Sequence, residues 1–288
     1  MNLIAIDIGG TTIKFATWQN NELHKEFSID TPKDLNTFYE ELTDGVNELK
    51  EKVNAQGVAI SSPGAVNKKT GVIEGASALP YIHNFEIVPE LEKRFDLPIS
   101  IENDANCAAL GELADGAGKG CNSLAFFVIG TGIGGSIIIN NKIWHGAHLY
   151  GGEFGYMLID GKQLSAIASP VAMAKRYNEQ TGKNFDGKTV FTLADNGDPI
   201  ATKERDIMLH ALASAIFNIQ HSFDPEKIVL GGGISNNPEL VPLINDEIDR
   251  IRHNFDIATL KPEISVCELK ANANLRGAIA DFENEHCN

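Results

Sequence analysis

Apolar and polar positions alternate along the chain in a way that predicts short strands and amphipathic helices. Residues 3–8 (LIAIDI) form an apolar run that ends at two glycines, and the apolar pattern resumes over residues 13–18. Short apolar runs bounded by turn residues are typical of strands, so this segment predicts a strand, a tight turn and a second strand. Asn20-Asn21 then predicts another hairpin turn, because asparagine tolerates a positive φ.

The same order of elements returns in the middle of the chain. Residues 124–141 again run through an apolar strand, a glycine turn, a second strand and an asparagine turn. The step from Gly9 to Asn20 is eleven positions long, and the step from Gly130 to Asn141 has the same length. This repetition predicts a duplicated β-hairpin unit.

The rest of the chain alternates predicted helices with predicted strands. Helices are predicted at 35–53, 105–114, 165–180, 201–222, 238–252 and 272–284, and further strands at 57–60, 98–101 and 227–230. Such alternation is typical of α/β proteins, and 288 residues correspond to about two domains. The glycine-rich stretch 116–120 predicts their boundary. We therefore expect domains at 1–118 and 119–288, with the last helix packing back onto the first domain.

Charge and composition limit the classes of partner. The formal net charge is -15, and such an acidic surface repels phosphate backbones and anionic lipid, so neither nucleic acid nor a membrane is an expected partner. No apolar run reaches bilayer length, and the first residues lack a basic signal-peptide region, so we expect a cytoplasmic protein. The four cysteines are scattered without CxxC spacing, which favours reduced thiols.

Three glycine clusters each follow a predicted strand. They are Gly9-Gly10, residues 130–135 and residues 231–233. Glycine after a strand lets backbone N–H groups approach phosphate oxygens without a Cβ in the way. None of the clusters has the Walker or the dinucleotide-binding spacing, and a single cluster is more often a plain hairpin turn. Three of them together favour a nucleotide held between two lobes.

Asp7 and Lys14 place charges in otherwise apolar strands. Burying an unpaired carboxylate is costly, so we expect a cation or a donor beside Asp7. Mg²⁺ held largely through water is the functional interpretation of Asp7, and an Asx-type turn is the alternative. Lys14 can reach a phosphate as a point charge, unless it faces solvent on an edge strand.

Glu102-Asn103-Asp104 lies at the end of a predicted strand, directly before an alanine-rich helix. Asp104 is well placed for an N-cap, which is the structural interpretation. In phosphoryl transfer, however, an enzyme mainly positions its reactants while one carboxylate accepts the hydroxyl proton. The carboxyl end of a strand is where such a base is expected.

Taken together, these motifs resemble the ROK family (repressor, ORF, kinase), which has the actin-like ATPase fold. The motifs are, in order, DIGGTTIK at 7–14, ENDAN at 102–106, GTGIGG at 130–135 and GGGIS at 231–235. The resemblance covers nearly the whole chain. It implies two actin-like, RNase H-like α/β lobes with a cleft between them, and we expect a homodimer.

The resemblance also implies an activity and a set of site residues. The γ-phosphate of Mg-ATP would pass to a sugar hydroxyl, namely the C6 hydroxyl of a hexose, a β-glucoside or an N-acetylhexosamine. Asp104 would be the general base, while Gly64, Asn103 and Glu153, together with Asp104, would bind the sugar. The implied nucleotide-binding residues are Asp7 (with Mg²⁺), Gly9, Gly10, Thr11, Thr12, Lys14, Gly130, Thr131, Gly132, Gly134, Gly231, Gly232 and Gly233.

Two positions depart from the family pattern. Tyr156 stands where ROK members usually have a histidine, and Ser165 stands where they usually have a second glutamate. The cysteine cluster that binds structural zinc is also missing, because no cysteine occurs between Cys121 and Cys267. These departures resemble the zinc-free subgroup, which includes β-glucoside kinases and N-acetylmannosamine kinases.

Two alternatives stay open. One is a glucokinase-type or fructokinase-type hexokinase of the same family. The other is a sugar-sensing regulatory protein without a DNA-binding domain. ROK repressors carry an N-terminal helix-turn-helix domain, whereas here the phosphate motif begins at Asp7 and the net charge of -15 disfavours DNA.

We expect the purified protein to contain no stoichiometric zinc, because the sequence has no ligand cluster with zinc spacing. Chelation should stop its activity by removing Mg²⁺, and added Mg²⁺ alone should restore it. Elemental analysis of the purified protein measures the first point directly. One tightly bound zinc ion per chain would contradict the prediction.

Overall fold

The computed structural model describes residues 1–254 and 260–287. Two compact units are present, each with its own sheet. The first unit comprises Met1–Gly116, Gly146–Tyr150 and Ala271–Asn288, and the second comprises Ala117–His145 and Gly151–Lys270. The division of the chain into domains at 1–118 and 119–288 stays a prediction.

The regular elements alternate between strands and helices as the α/β prediction required. The strands, in chain order, are β1 (Leu3–Ile8), β2 (Thr12–Gln19), β3 (Glu22–Asp30), β4 (Val58–Ser62), β5 (Ala65–Asn67), β6 (Val72–Glu74), β7 (Ile99–Asn103), β8 (Leu124–Ile129), β9 (Ile133–Ile139), β10 (Lys142–Ile143), β11 (Leu158–Ile159), β12 (Lys162–Gln163), β13 (Lys227–Gly231) and β14 (Ile264–Val266). The helices, in chain order, are α1 (Leu35–Val53), α2 (Val88–Phe95), α3 (Asp104–Asp115), α4 (Leu164–Ala168), α5 (Pro170–Thr181), α6 (Gly187–Asp195), α7 (Pro199–Phe223), α8 (Leu240–His253) and α9 (Ala273–His286). Among the described residues, no helix combines the length and apolar character that crossing a bilayer requires.

The sheet of the first unit has the order β3-β2-β1-β4-β7. The pairs β2–β3 and β1–β2 are antiparallel, whereas β1–β4 and β4–β7 are parallel. Asn20 and Asn21 both have positive φ, at 54° and 61°, which is the backbone that a tight two-residue hairpin turn requires. The predicted asparagine turn is therefore confirmed.

The sheet of the second unit repeats this plan with the order β10-β9-β8-β13-β14. The pairs β10–β9 and β9–β8 are again antiparallel, and the pairs β8–β13 and β13–β14 are again parallel. Asn140 and Asn141 adopt φ of 54° and 62°, almost the values of the first copy. The duplication predicted from the spacing of glycines and asparagines is confirmed.

Alternate residues of β1 face two different layers of apolar side chains. Ile4 and Ile6 pack with Phe38 and Leu42 of α1. Leu3 and Ala5, on the other face of the strand, pack with apolar side chains of α9. Successive side chains of a strand point to opposite faces, so a strand covered on both faces must be apolar throughout. The continuous run LIAIDI therefore fits a central strand, and Asp7 is its single charged position.

The helix predicted at 165–180 is in fact two helices. Pro170 lacks a backbone N–H and begins α5, because the first helical position is where proline is best tolerated. The hydroxyl of Ser169 caps α5 by accepting a hydrogen bond from the N–H of Ala172 at 3.1 Å. The single-helix prediction was therefore wrong at this point.

Helices α3 and α9 pack closely through glycine. A Cβ added at Gly277 of α9 would overlap the backbone carbonyl oxygen of Cys107 in α3, and one added at Gly111 would overlap the carbonyl oxygen of Ala273. The backbones of the two helices therefore approach each other without side chains between them. This contact fixes α3, whose first turn carries Asp104.

We expect Gly277→Ala to destabilise the protein, because the added methyl group meets backbone atoms that cannot rotate away. The expected loss lies at the upper end of the range of about 1–3 kcal/mol that overpacking costs. Gly130→Ala is the control, because a Cβ there meets nothing within 4 Å and its φ is not positive. Chemical denaturation of both variants gives the free energies of unfolding. Equal stabilities would contradict the close approach of α3 and α9.

Candidate active site

The first glycine turn, between β1 and β2, is closed by its own hydrogen bonds. The N–H of Gly9 donates to the carbonyl oxygen of Thr12 at 3.1 Å, and the hydroxyl of Thr31 donates to the carbonyl oxygen of Gly9 at 2.7 Å. Gly10 and Thr11 form the exposed tip. Since the N–H of Gly9 is already engaged, a ligand would meet the tip of this turn rather than its base.

Asp7 and Lys14 lie directly opposite each other on β1 and β2. The ammonium nitrogen of Lys14 is 2.8 Å from Oδ2 of Asp7, and Oδ1 of Asp7 accepts hydrogen bonds from Ser61 and Asn274 at 3.1 Å each. The carboxylate bonds to β2, β4 and α9, so the Asx-turn alternative is wrong. The edge-strand alternative for Lys14 is also wrong, because β2 lies between β1 and β3.

Asn103, rather than Asp104, caps α3. Its side-chain oxygen accepts hydrogen bonds from the N–H groups of Ala105 at 2.9 Å and Asn106 at 3.2 Å. Its side-chain nitrogen donates to the carbonyl oxygen of Gly64 at 2.9 Å and to Oδ1 of Asp104 at 3.1 Å. The N-cap interpretation of Asp104 was therefore wrong by one position, and Asp104 is the first residue of the helix.

The environment of Asp104 makes its carboxylate a stronger base. Burial raises the pKa of Asp104, and the negative charge of Asp7 raises it further. Hydrogen bonds from the N–H of Ala105 and from Asn103 favour the ionised form and oppose this shift. The net direction is upward, which suits a group that must accept a proton.

Gly64 requires glycine for two reasons. Its φ is +100°, and an added Cβ would lie 2.6 Å from Cε1 of the His83 ring and 2.7 Å from Ile73. Its carbonyl oxygen is thereby held against the side chain of Asn103. Asp7, Lys14, Gly64, Asn103 and Asp104 all lie in the first unit. Hydrogen bonds join Asp7 to Lys14, and join Asn103 to both Gly64 and Asp104.

The second glycine turn, between β8 and β9, is shorter and is also closed by a backbone hydrogen bond. The N–H of Gly130 donates to the carbonyl oxygen of Gly132 at 2.9 Å, and Thr131 is exposed at the tip. The hydroxyl of Ser165 accepts a hydrogen bond from the N–H of Ile133 at 2.9 Å and donates to its carbonyl oxygen at 3.2 Å. Ser165 therefore supports this turn. Gly134 lies one residue further along β9.

Glu153 lies in a loop that a buried aromatic ring anchors. Phe154 packs on Phe127 of β8 with the ring centroids 4.7 Å apart, and a short 3-10 turn spans Phe154–Tyr156. Glu153 is exposed directly before this turn, and the side chain of Tyr156 is also exposed. Both residues belong to the second unit.

A cavity of about 670 Å³ lies in the second unit where β8 and β13 end. Gly130 and Gly233, two of the glycines that the sequence predicts to bind the nucleotide, line it. Gly231 ends β13, and Gly232 has a φ of +88° with no room for a Cβ, which would overlap the carbonyl oxygen of Ile129. These glycines let the chain turn sharply beside the cavity.

The sequence interpretation missed one wall of this cavity and two partners of Asp7. Helix α6 supplies Lys188 and Phe191 to the wall, and its N-cap Asp186, followed by apolar residues at helical spacing, was the signal that could have revealed it. Ser61 and Asn274 carried no local signal, because they are 54 and 267 positions from Asp7.

Asp7 is the residue that the sequence predicts to hold Mg²⁺. Among the described residues, no group of three or more histidine, cysteine, aspartate or glutamate side chains is placed to hold a metal ion. Mg²⁺ commonly takes one or two protein carboxylates and completes its shell with water and substrate phosphates. A single buried carboxylate beside an exposed phosphate-type turn is compatible with that mode.

Comparisons with known proteins agree with this geometry. A model described as ROK family matches residues 3–284. A ROK family protein from Streptococcus pneumoniae TIGR4, solved in complex with sucrose, has a TM-score of 0.91 and 37% identity, with 100% of this chain and 99% of that chain covered. A β-glucoside kinase of Listeria innocua is 32% identical over 308 residues, covering 99% of this chain and 100% of the relative.

A third relative was solved with a nucleotide. A ROK family glucokinase from Streptomyces griseus, in complex with glucose and AMPPNP, has a TM-score of 0.77 and 26% identity, with 99% of this chain and 100% of that chain covered. The predicted family and the actin-like fold of the two units are thereby confirmed. The chain belongs to the ROK family and is a sugar kinase.

Proposed function

We propose that this sugar kinase transfers the γ-phosphate of Mg-ATP to the C6 hydroxyl of its sugar, with Asp104 as the general base. The observation that carries the proposal is the setting of Asp104 at the start of α3, where Asn103 orients it and burial raises its pKa. A carboxylate held in place with an elevated pKa accepts a hydroxyl proton more readily than a solvated one. Asn103, Gly64 and Glu153 bind the sugar in this proposal.

The nucleotide would be bound by the two glycine turns and the cavity beside β13. Lys14 is the cation of the first turn, and its side chain is 43% exposed, so its ammonium group can exchange its contact with Asp7 for a phosphate oxygen. Asp7 would hold Mg²⁺, largely through water. When bound, the ion neutralises the charge that develops on the phosphates during transfer. The cavity lined by Gly130, Gly233 and Phe191 has room for the base and the ribose.

We infer further that the acceptor carries a substituent at C1 or C2. The hydroxyl of Ser165 already bonds to both the N–H and the carbonyl oxygen of Ile133, so it does not replace the glutamate that ROK members usually have there. Tyr156 replaces the usual histidine, and this residue is 62% exposed. Two of the relatives support this choice, because one is named β-glucoside kinase and the other was solved with sucrose, in which C1 of the glucose ring is substituted by fructose.

Asp104→Asn tests the base. Asparagine preserves the size of the side chain and leaves the helix cap intact, because Asn103 forms that cap. Loss of the proton acceptor should lower kcat by roughly 10²–10⁴-fold, with sugar binding largely retained. Turnover and sugar binding are measured by ADP release and calorimetry. Asp44→Asn on the exposed face of α1 is the matched control and should keep normal turnover.

Near-normal turnover of Asp104→Asn would remove Asp104 from this role. Lost sugar binding together with lost turnover would instead assign it to substrate recognition alone.

The acceptor proposal is tested by comparing kcat/KM for glucose with that for β-glucosides and N-acetylhexosamines. A site that bonds a hydroxyl discriminates strongly against analogues that lack it, because its own polar groups are left unpaired. With Ser165 engaged by Ile133, we expect substituted sugars to be accepted at least as well as glucose. A strong preference for unmodified glucose would show that Tyr156 closes the pocket and supplies the missing contact.

A further inference from the structure

Three carboxylates surround the ammonium group of Lys68 in the first unit. Its Nζ lies 2.6 Å from both carboxylate oxygens of Asp281 and 2.6 Å from Oε1 of Glu285. It is also 3.6 Å from Oε2 of Glu102. Lys68 follows β5, Glu102 lies in β7, and Asp281 and Glu285 belong to α9. One cation therefore joins β7 and α9 to the segment that follows β5.

Glu102 connects Lys68 to the start of α3 through hydrogen bonds. Its side chain is fully buried, and its Oε1 accepts hydrogen bonds from the backbone N–H of Asn103 at 2.7 Å and from the side-chain amide of Asn106 at 2.9 Å. Hydrogen bonds to an ionised carboxylate are roughly twice as strong as those between neutral groups. Glu102 therefore clamps the residue that orients Asp104.

Glu102 needs a counter-ion to stay ionised and in place. Burying an unpaired carboxylate is unfavourable, and such a group protonates or turns towards water instead. Burial alone would lower the pKa of Lys68, but the charges of Asp281, Glu102 and Glu285 outweigh burial and hold that pKa above its usual range. Lys68 is therefore a permanent cation at neutral pH, and its side chain is only 24% exposed.

We propose that Lys68 is a positioning residue for phosphoryl transfer, which holds Glu102 ionised so that Glu102 fixes Asn103 and thereby Asp104. The inference rests on the proposed role of Asp104 as the base. Lys68 influences Asp104 indirectly, through its ion pair with Glu102. Glu102 accepts a hydrogen bond from the N–H of Asn103 at 2.7 Å, and the side chain of Asn103 donates one to Asp104 at 3.1 Å.

The first test is Lys68→Met. We expect kcat to fall by about 10²-fold, the size of effect that misplacing a catalytic group by about 1 Å produces. KM for ATP should change less than kcat, because the cavity proposed for the base and the ribose lies in the second unit. Lys68→Arg keeps the positive charge and should retain most of the turnover. Lys69→Met, which removes the exposed neighbouring lysine, is the matched control and should behave as the unmodified protein.

The second test separates positioning from simple cross-linking of α9. Glu102→Gln removes the charge that Lys68 neutralises, and it should lower kcat on its own. If Lys68 acts through Glu102, the double variant Lys68→Met/Glu102→Gln should lose no more turnover than Glu102→Gln alone. If Lys68 merely ties α9 to the unit through Asp281 and Glu285, the two losses should multiply. Multiplying losses would overturn the proposal.

Failure of this inference can be told from failure of the proposed function. Near-normal kcat of Lys68→Met, beside an impaired Asp104→Asn, would overturn only the role of Lys68. Near-normal kcat of Asp104→Asn would show that Asp104 is not the base, and so would overturn the proposed function as well. If Lys68→Met does not fold, Glu102→Gln and Lys68→Arg decide: unchanged turnover of Glu102→Gln overturns the proposal, whereas reduced turnover with an active Lys68→Arg supports it.

Discussion

The side-chain amide of Asn103 is the junction on which the candidate site of the first unit depends. Its oxygen accepts two N–H groups at the start of α3, while its nitrogen donates to Gly64 and Asp104. Only a carboxamide offers both acceptor and donor atoms in this geometry. A carboxylate would cap the helix equally well, but it would repel Asp104 and could not hold the carbonyl oxygen of Gly64. The position of Asp104 is thus set by the side chain of Asn103.

Much of the fold was predictable because the decisive signals are local. Apolar runs that end at glycine or asparagine marked both hairpins, and the repeat of their spacing marked the duplicated sheet. The cap of α3 could not be assigned to Asn103 rather than Asp104, because both residue types are favoured N-caps. The break at Pro170 was readable in principle, since proline is favoured at the first helical position and the serine before it is a favoured N-cap residue.

The candidate site was predictable in its glycines and charges, but not in the contacts that hold them. Ser61 and Asn274 hold Asp7, yet they come from β4 and α9, and no pattern along the chain relates them. The role of Ser165 was equally hidden, because a hydroxyl that bonds to backbone groups has no sequence signature. The two glycine turns also differ in length: Ile8 pairs with Ile13, whereas Ile129 pairs with Ile133. Duplicated sheets therefore carry turns of different shape.

The first unit is assembled from segments at both ends of the chain, and this affects when it can fold during synthesis. Helix α9 belongs to the first unit, yet the ribosome must translate the whole second unit before α9 exists. Until then α3 lacks the partner against which Gly111 packs, and Asp7 lacks Asn274. Domains generally fold as units while synthesis proceeds from the N-terminus. Here the first unit, although translated first, stays partly exposed until its final helix is made, so the contacts of Asp7 and of α3 with α9 form only late in translation.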